Sequence, residues 1–300
     1  MTQTLLADIG GTYARFWTWE NGQAHSPEVY FQDLSMPMEQ LIQLYLDKTG
    51  ICPTTFIAGA AGCLRPKGIL HLTNRDLIVD MPQLCRHFGF EQGVLANDMV
   101  FHAISVQNIP DSTNACVVVI GTGMGCSYIR DNQIQASEDG HARMTFSCPE
   151  LGDMTAQCWE DLLSGPAFLR LYQHLDSTHK PVMQSREVSF LAHNTHDKNA
   201  LLTYRIMAQA LAAFCLKTAT DKNVPVFYLG GLSVELLRSK QTLQIFFDAL
   251  GKFADILSVR IIKPSDQSAL VGLETVAKII EAKQKITCIR PKDFYHFKQR

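Results

Sequence analysis

Apolar residues come in short runs at the start of the chain. Thr4–Asp8 is a nearly continuous apolar stretch and predicts a buried strand, with Tyr13–Trp19 predicting a second strand after a glycine turn. Asn21-Gly22 is a strong hairpin signal and leads to a third strand around Glu28–Phe31. The period then changes. Leu41, Ile42, Leu44 and Tyr45 recur at helical spacing and predict a helix over Met38–Lys48. Thr55–Ala61 reads as a strand, Gln83–Phe88 as a short helix and Val94–Ala96 as a strand.

A similar order follows. Ala115–Ile120 is a β-branched strand, Gly121–Gly125 a turn and Cys126–Arg130 a strand. Helices come after it, including a long one over Leu201–Ala219, then a buried strand at Val224–Leu229 and a helix-like stretch at Ala269–Lys283. Two halves that each open with strand, glycine turn and strand imply an α/β chain with duplicated mixed sheets and a cleft between them. The basic, aromatic residues Ile286–Arg300 read as a surface tail packed by Phe294 and Tyr295.

Composition narrows the partners. A net charge of -2 over 300 residues gives no electrostatic case for nucleic acid or an anionic membrane surface. The start shows no basic segment followed by a long apolar stretch, and no run reaches the ~18 apolar residues of a membrane span. The nine cysteines stand singly without a CxxC pair, as reduced thiols in a cytoplasmic protein do.

Five constellations carry candidate chemistry. Asp8-Ile9-Gly10-Gly11-Thr12 follows a buried strand, so its backbone can approach a ligand, its amides can face phosphate oxygens and Asp8 can hold a hydrated Mg2+. An ordinary β-turn is the alternative. Gly121-Thr122-Gly123-Met124-Gly125 repeats the arrangement in the second half. Asn97-Asp98 ends a strand, where a carboxylate can act as general base for a hydroxyl or can cap the next helix. Glu138, His141 and Glu160 form a set suited to vicinal sugar hydroxyls, a loose metal pattern, or solvated surface charges. Gly230-Gly231 after a strand leaves room for a flat ring such as adenine, or for tight strand–helix packing.

Read in order, these pieces resemble the bacterial glucokinases of the hexokinase–actin superfamily, over about Thr4 to Glu281. ADIGGTYAR (7–15) is similar to the family's first phosphate loop, and VVVIGTGMG (117–125) to its second. HLTNRDLIVDMPQL (71–84) and VLANDMVFHA (94–103) resemble its LTN segment and its base motif. SEDGH (137–141), WEDLLSGPAF (159–168) and FYLGG (227–231) resemble its E-x-G-H, E-x-x-L-S-G-P and adenosine segments.

The resemblance implies a two-domain actin/hexokinase-like (ribonuclease H-like) fold with an interdomain cleft. It divides the chain into 1–110 plus about 266–283, 111–265, and a tail at 284–300. It implies Asp98 as catalytic base, with Asn97, Asp98, Glu138, His141 and Glu160 on the sugar. Asp8, Gly10, Gly11, Thr12, Gly121, Thr122, Gly123, Gly230 and Gly231 are then expected around ATP, with Asp8 on Mg2+ through water. The expected reaction is ATP-dependent phosphorylation of a hexose 6-hydroxyl, glucose first, in cytoplasmic glycolysis, and a homodimer is compatible with it. A non-catalytic sugar sensor on the same fold, or a kinase for another hexose or amino sugar, is the alternative. Tyr13 stands where the family has Asn, Asp139 replaces a glycine, Ala60-Ala61-Gly62 replaces a Gly-Pro segment, and Ile120 precedes the second loop where a small residue is usual. The Cys-rich zinc motif of the ROK sugar kinases is absent from the sequence, as is any helix-turn-helix before Thr4.

Overall fold

The opening strands form as their patterns predict. β1 (Thr4–Ile9) lies antiparallel to β2 (Tyr13–Glu20), which pairs with β3 (Gln23–Phe31). Asn21 and Gly22 both take positive φ, 53° and 79°, the geometry of a twisted two-residue hairpin turn. β3 begins five residues before the stretch that the pattern marked. The structure, a computed structural model, describes residues 3–31, 36–73, 75–107, 109, 112–176, 184–262 and 268–299. Asn74 of the LTN segment and Arg300 lie outside them.

The chain divides into two compact units. The first comprises Met1–Thr113, Ser127–Ala136 and Asp266–Arg300, the second Asn114–Cys126 and Ser137–Ser265. In the first unit, α1 (Met38–Thr49), β4 (Thr55–Ala60), β5 (Gly62–Arg65), β6 (Ile69–Leu72), β7 (Ile78–Asp80), α2 (Met81–Phe88), β8 (Gln92–Asn97) and α3 (Asp98–Val106) follow the opening strands. Its main sheet has the order β14-β8-β4-β1-β2-β3, where β14 (Phe294–Lys298) pairs antiparallel with β8. The segment read as a surface tail therefore contributes an edge strand. β5, β6 and β7 form a separate three-stranded sheet.

Strand alternation splits the core of this unit. Leu5, Ala7 and Ile9 of β1 join Met38, Leu41, Ile42 and Tyr45 of α1 and Leu84 and Cys85 of α2 in one buried cluster. The other face receives α3 and α9 (Ser268–Glu281), which pack on β4 and β1 and on each other. α9 is further tied to β2, where the Trp19 indole donates to Glu281 Oε1 at 2.7 Å and Lys278 sits over the Trp19 ring.

The second half carries β9 (Asn114–Ile120), β10 (Met124–Arg130), β11 (Gln133–Ser137), α4 (Gly165–Leu175), α5 (Ser185–Phe190), α6 (Lys198–Lys222), β12 (Val226–Gly231), α7 (Leu232–Leu236), α8 (Lys240–Leu250) and β13 (Ser258–Ile261). The sheet order is β11-β10-β9-β12-β13. β12 lies parallel to both β9 and β13. α6 is long and apolar enough to cross a membrane by length and composition, but 61% of its most apolar stretch is buried inside the fold. It reads as a core helix, with Tyr204, Met207, Leu211 and Phe214 enclosed.

Candidate functional site

In the first unit, β1 ends at the turn that separates it from β2. The Gly10 amide donates to the Tyr13 carbonyl at 2.9 Å, which closes the Gly10–Thr12 turn. Antiparallel register sets Asp8 opposite Arg15, and their side chains pair at 2.9 Å through Asp8 Oδ2. Among the described residues no other group bonds the Asp8 carboxylate. The Arg15 guanidinium also lies 5.9 Å from the ring of Tyr13, the residue standing where the family has Asn. Tyr13 thus lies beside the cation that pairs Asp8. The Arg75 guanidinium donates to the Gly11 carbonyl and holds the turn from the other side. The sequence held Arg15 inside its first motif, yet only the strand register shows its partner.

β8 delivers Asn97 and Asp98 next to one another. Asn97 is the N-cap of α3, its Oδ1 accepting from the Met99 amide at 2.9 Å and its Nδ2 donating to the Gly62 carbonyl at 2.8 Å. Asn97, 8% exposed, fills the capping role that the spacing left open for Asp98. Asp98 is the first helical residue, with Oδ1 2.9 Å from the Met99 amide. A side chain there lies at the positive end of the helix dipole.

In the second unit, the glycine turn after β9 is closed by the Gly121 amide, which donates to the Gly123 carbonyl at 2.8 Å. Glu160 reaches this turn. Its Oε2 accepts from the Met124 amide at 2.7 Å, the short distance of a charge-assisted bond. Glu160 sits in a 3₁₀ turn, Trp159–Asp161, which Asp161 steadies by accepting from the Gln157 and Cys158 amides. This segment is laddered to the one bearing His141. The Met144 amide donates to the Gln157 carbonyl at 2.9 Å, and the Trp159 amide to the Ala142 carbonyl at 3.3 Å. A further bond, from the Gly165 amide to the Gly121 carbonyl at 2.8 Å, ties the start of α4 to the same turn.

Glu138 and His141 flank a 3₁₀ turn, with Glu138 Oε2 3.8 Å from His141 Nε2. Burial raises the Glu138 carboxyl above the usual carboxylate range; His141 pulls it down and the Glu160 charge pushes it up. Asp139, the residue in place of the family glycine, directs its carboxylate to Lys222 at the end of α6, 3.8 Å away. Glu138, His141, Glu160 and the turn at 121–124 therefore form one connected group inside the second unit. Thr122 is an exposed residue of that turn.

Gly230 and Gly231 end β12. Gly231 has φ +65°, and a Cβ there would lie 2.2 Å from the Ile120 carbonyl oxygen, so its missing side chain serves close packing on β9. Gly230 packs against Val119 and Ile262. Sequence reasoning missed Arg15, whose partner shows only in the strand register, and also Arg75 and the bond of Glu160 to Met124, whose partners are distant along the chain.

The residues present suit a hydrated Mg2+ in one respect. Asp8 beside a glycine turn offers one carboxyl group, and Mg2+ that keeps several waters is bound through one or two carboxylates plus substrate phosphates. Among the described residues no group of three or more His, Cys, Asp and Glu side chains could hold a metal by itself.

Comparison with known proteins adds the family. The sequence model described as Glucokinase matches residues 5–277. A curated glucokinase of Chelativorans sp. is 28% identical over 137 residues, 40% of this chain and 40% of that protein. The chain spans under half the length of the curated relatives it matches, 32% and 40%. Among solved structures, a glucokinase from Balamuthia mandrillaris in complex with glucose superposes with a TM-score of 0.77 at 17% identity, covering 92% of this chain and 94% of that one. A ROK family glucokinase from Streptomyces griseus in complex with glucose and AMPPNP gives 0.72 at 19% identity, covering 92% and 99%. At these identities the likeness shows the α/β fold of the hexokinase-like sugar kinases. With the family model matching most of its length, the chain belongs to the glucokinase family.

Proposed function

We propose that the protein transfers the γ-phosphoryl group of ATP to the 6-hydroxyl of a hexose, with glucose as the first candidate. The observation that carries this reading is the group of Glu138, His141 and Glu160 bonded to a glycine turn of the phosphate-binding type. A carboxylate that accepts from such a turn links sugar recognition to phosphate placement within one unit.

In this reading Asp98 accepts the proton of the sugar's primary hydroxyl as that oxygen attacks the γ-phosphorus in line. The new O–P bond forms as the bond to the bridging oxygen of ADP breaks, and ADP leaves with that electron pair. Catalysis rests on positioning and charge stabilisation, as is general for phosphoryl transfer. Glu138, His141 and Glu160 hold ring hydroxyls. Asn97 uses one N–H on Gly62 and one lone pair on Met99, which fixes the backbone that carries Asp98 and leaves its amide a second donor and acceptor for a sugar hydroxyl. Gly11, Thr12, Thr122 and Gly123 present backbone and hydroxyl donors to phosphate, and Gly10 and Gly121 close the two turns through their own amides. The backbone of Gly230 and Gly231, whose missing side chains are used in packing on β9, is the candidate platform for adenine. Asp8 would hold Mg2+, which would supply charge neutralisation of the phosphates. Arg15 keeps the Asp8 carboxylate oriented for that role. A cytoplasmic location follows from the substrates.

The test is ADP release from Mg-ATP in a coupled assay across glucose, mannose, fructose, glucosamine and N-acetylglucosamine. Turnover with one hexose and none without sugar is the expected result. Silence on every sugar from a folded sample, with hexose binding retained, overturns the kinase in favour of a sugar sensor.

A further inference from the structure

α3 carries Asp98 at its first position, and His102 is one turn further along the same helix face. The His102 ring is partly buried, and its Nδ1 lies 2.6 Å from the hydroxyl of Ser268, the first residue of α9. The helices meet closely here. A Cβ at Gly272, one turn after Ser268, would lie 2.1 Å from the Phe101 carbonyl oxygen, so backbone faces backbone. The hydrogen bond between His102 and Ser268 adds a directional side-chain tie across this close contact. α9 is itself anchored at its far end through Trp19, Lys278 and Glu281.

Burial lowers the basicity of the imidazole, Asp8 raises it and Arg15 lowers it, so the charges acting on it are those of the Asp8–Arg15 pair. His102 therefore joins the helix of the base to α9 and lies in the field of that pair.

We propose that His102 and Ser268 form a positioning pair, which fixes the rotation of α3 on α9 and thereby the place of the Asp98 carboxylate relative to Asp8. This rests on the reading of Asp98 as base. A misplacement of ~1 Å at a reacting group costs about 10²-fold in rate, so a small rotation of α3 is enough to be measured.

Three variants test the pair in the full-length protein: Ser268→Ala, His102→Leu and His102→Asn, whose amide can replace Nδ1. Ser268→Ala and His102→Leu are expected to lower kcat tenfold or more while KM for sugar and for Mg-ATP stays within about twofold. His102→Asn should recover most of the loss. Amide exchange over residues 98–106 should accelerate in Ser268→Ala, an outcome that needs no activity. Unchanged kcat in both truncating variants of an active parent overturns the pair, as does equal loss in His102→Asn and His102→Leu. If the parent phosphorylates no sugar, the kinase reading fails, and the exchange measurement alone decides the pair: unchanged exchange in Ser268→Ala overturns it.

Discussion

Glu160 is the side chain through which the second unit ties its glycine turn to its candidate sugar residues, and removing it has a definite expected cost. Glu160→Ala deletes the acceptor of the Met124 amide, a 2.7 Å bond to an ionised group. Hydrogen bonds to charged groups contribute about 1.5–3 kcal/mol, a figure that includes the cost of leaving the partner unpaired. If that energy is felt in the transition state, kcat/KM falls by about 10–10²-fold, at roughly 1.4 kcal/mol per factor of ten. Glu160→Gln keeps an acceptor but loses the charge, and neutral bonds are about half as strong. It should therefore fall between the parent and the alanine variant. The assay is steady-state ADP release with sugar and Mg-ATP varied in turn. Because Glu160 bonds the turn and is proposed to hold the sugar, KM for both substrates should rise in Glu160→Ala. A variant with a raised sugar KM and an unchanged Mg-ATP KM would refute the argument that Glu160 couples the two.

Three further predictions follow from the packing and the charges. Gly231→Ala meets the Ile120 carbonyl and takes a φ of +65°, so it should destabilise by about 3 kcal/mol and lower Tm by about 6–12 °C; an unchanged Tm contradicts the close approach. The folded state raises the Glu138 carboxyl, so between the unfolded and the raised value folding binds a proton and its stability contribution falls as pH rises. If Glu138 holds the sugar in its ionised form as proposed, sugar binding should weaken as pH drops through the raised value, and Glu160→Gln should move that limb to lower pH; a limb that stays in place removes the Glu160 charge as a cause. Burial pushes the Cys85 thiol up to about 12 and raises Cys215 further, while Cys126 is raised chiefly by its bond to Cys116. Cys52 and Cys63 are exposed and should react with a disulfide reagent in the native protein, whereas Cys85, Cys116, Cys126 and Cys215 should react only after unfolding.

The strongest local signals in the sequence matched the structure. The Asn21-Gly22 turn, the β-branched run before Gly121 and the long apolar helix at 198–222 all formed, because turn chemistry and period are local properties. Short strands with mixed faces left no such signal. β5, β6 and β7 hold three or four residues each and include Arg65, His71 and Asp80, so no period could mark them. β14 escaped because its partner β8 lies about 200 residues earlier, and edge pairing leaves only a weak pattern. The site showed the same division. Motif order brought out Asp8, Asp98, Glu138, His141 and Glu160, while the bonds of Asp8 to Arg15, Asn97 to Gly62 and His102 to Ser268 depend on register and helix docking.

The central claim is that Asp98, held at the start of α3 by the Asn97 cap, is the base that activates a hexose hydroxyl. Asp98→Asn preserves size and helix position while removing the proton acceptor, so the measurement is its kcat in the coupled ADP-release assay alongside its affinity for the same sugar. A loss of about 10²–10⁴-fold in kcat with sugar affinity near that of the parent is the predicted result, since general-base catalysis contributes that much. Turnover within tenfold of the parent would contradict the claim and remove Asp98 from the chemistry.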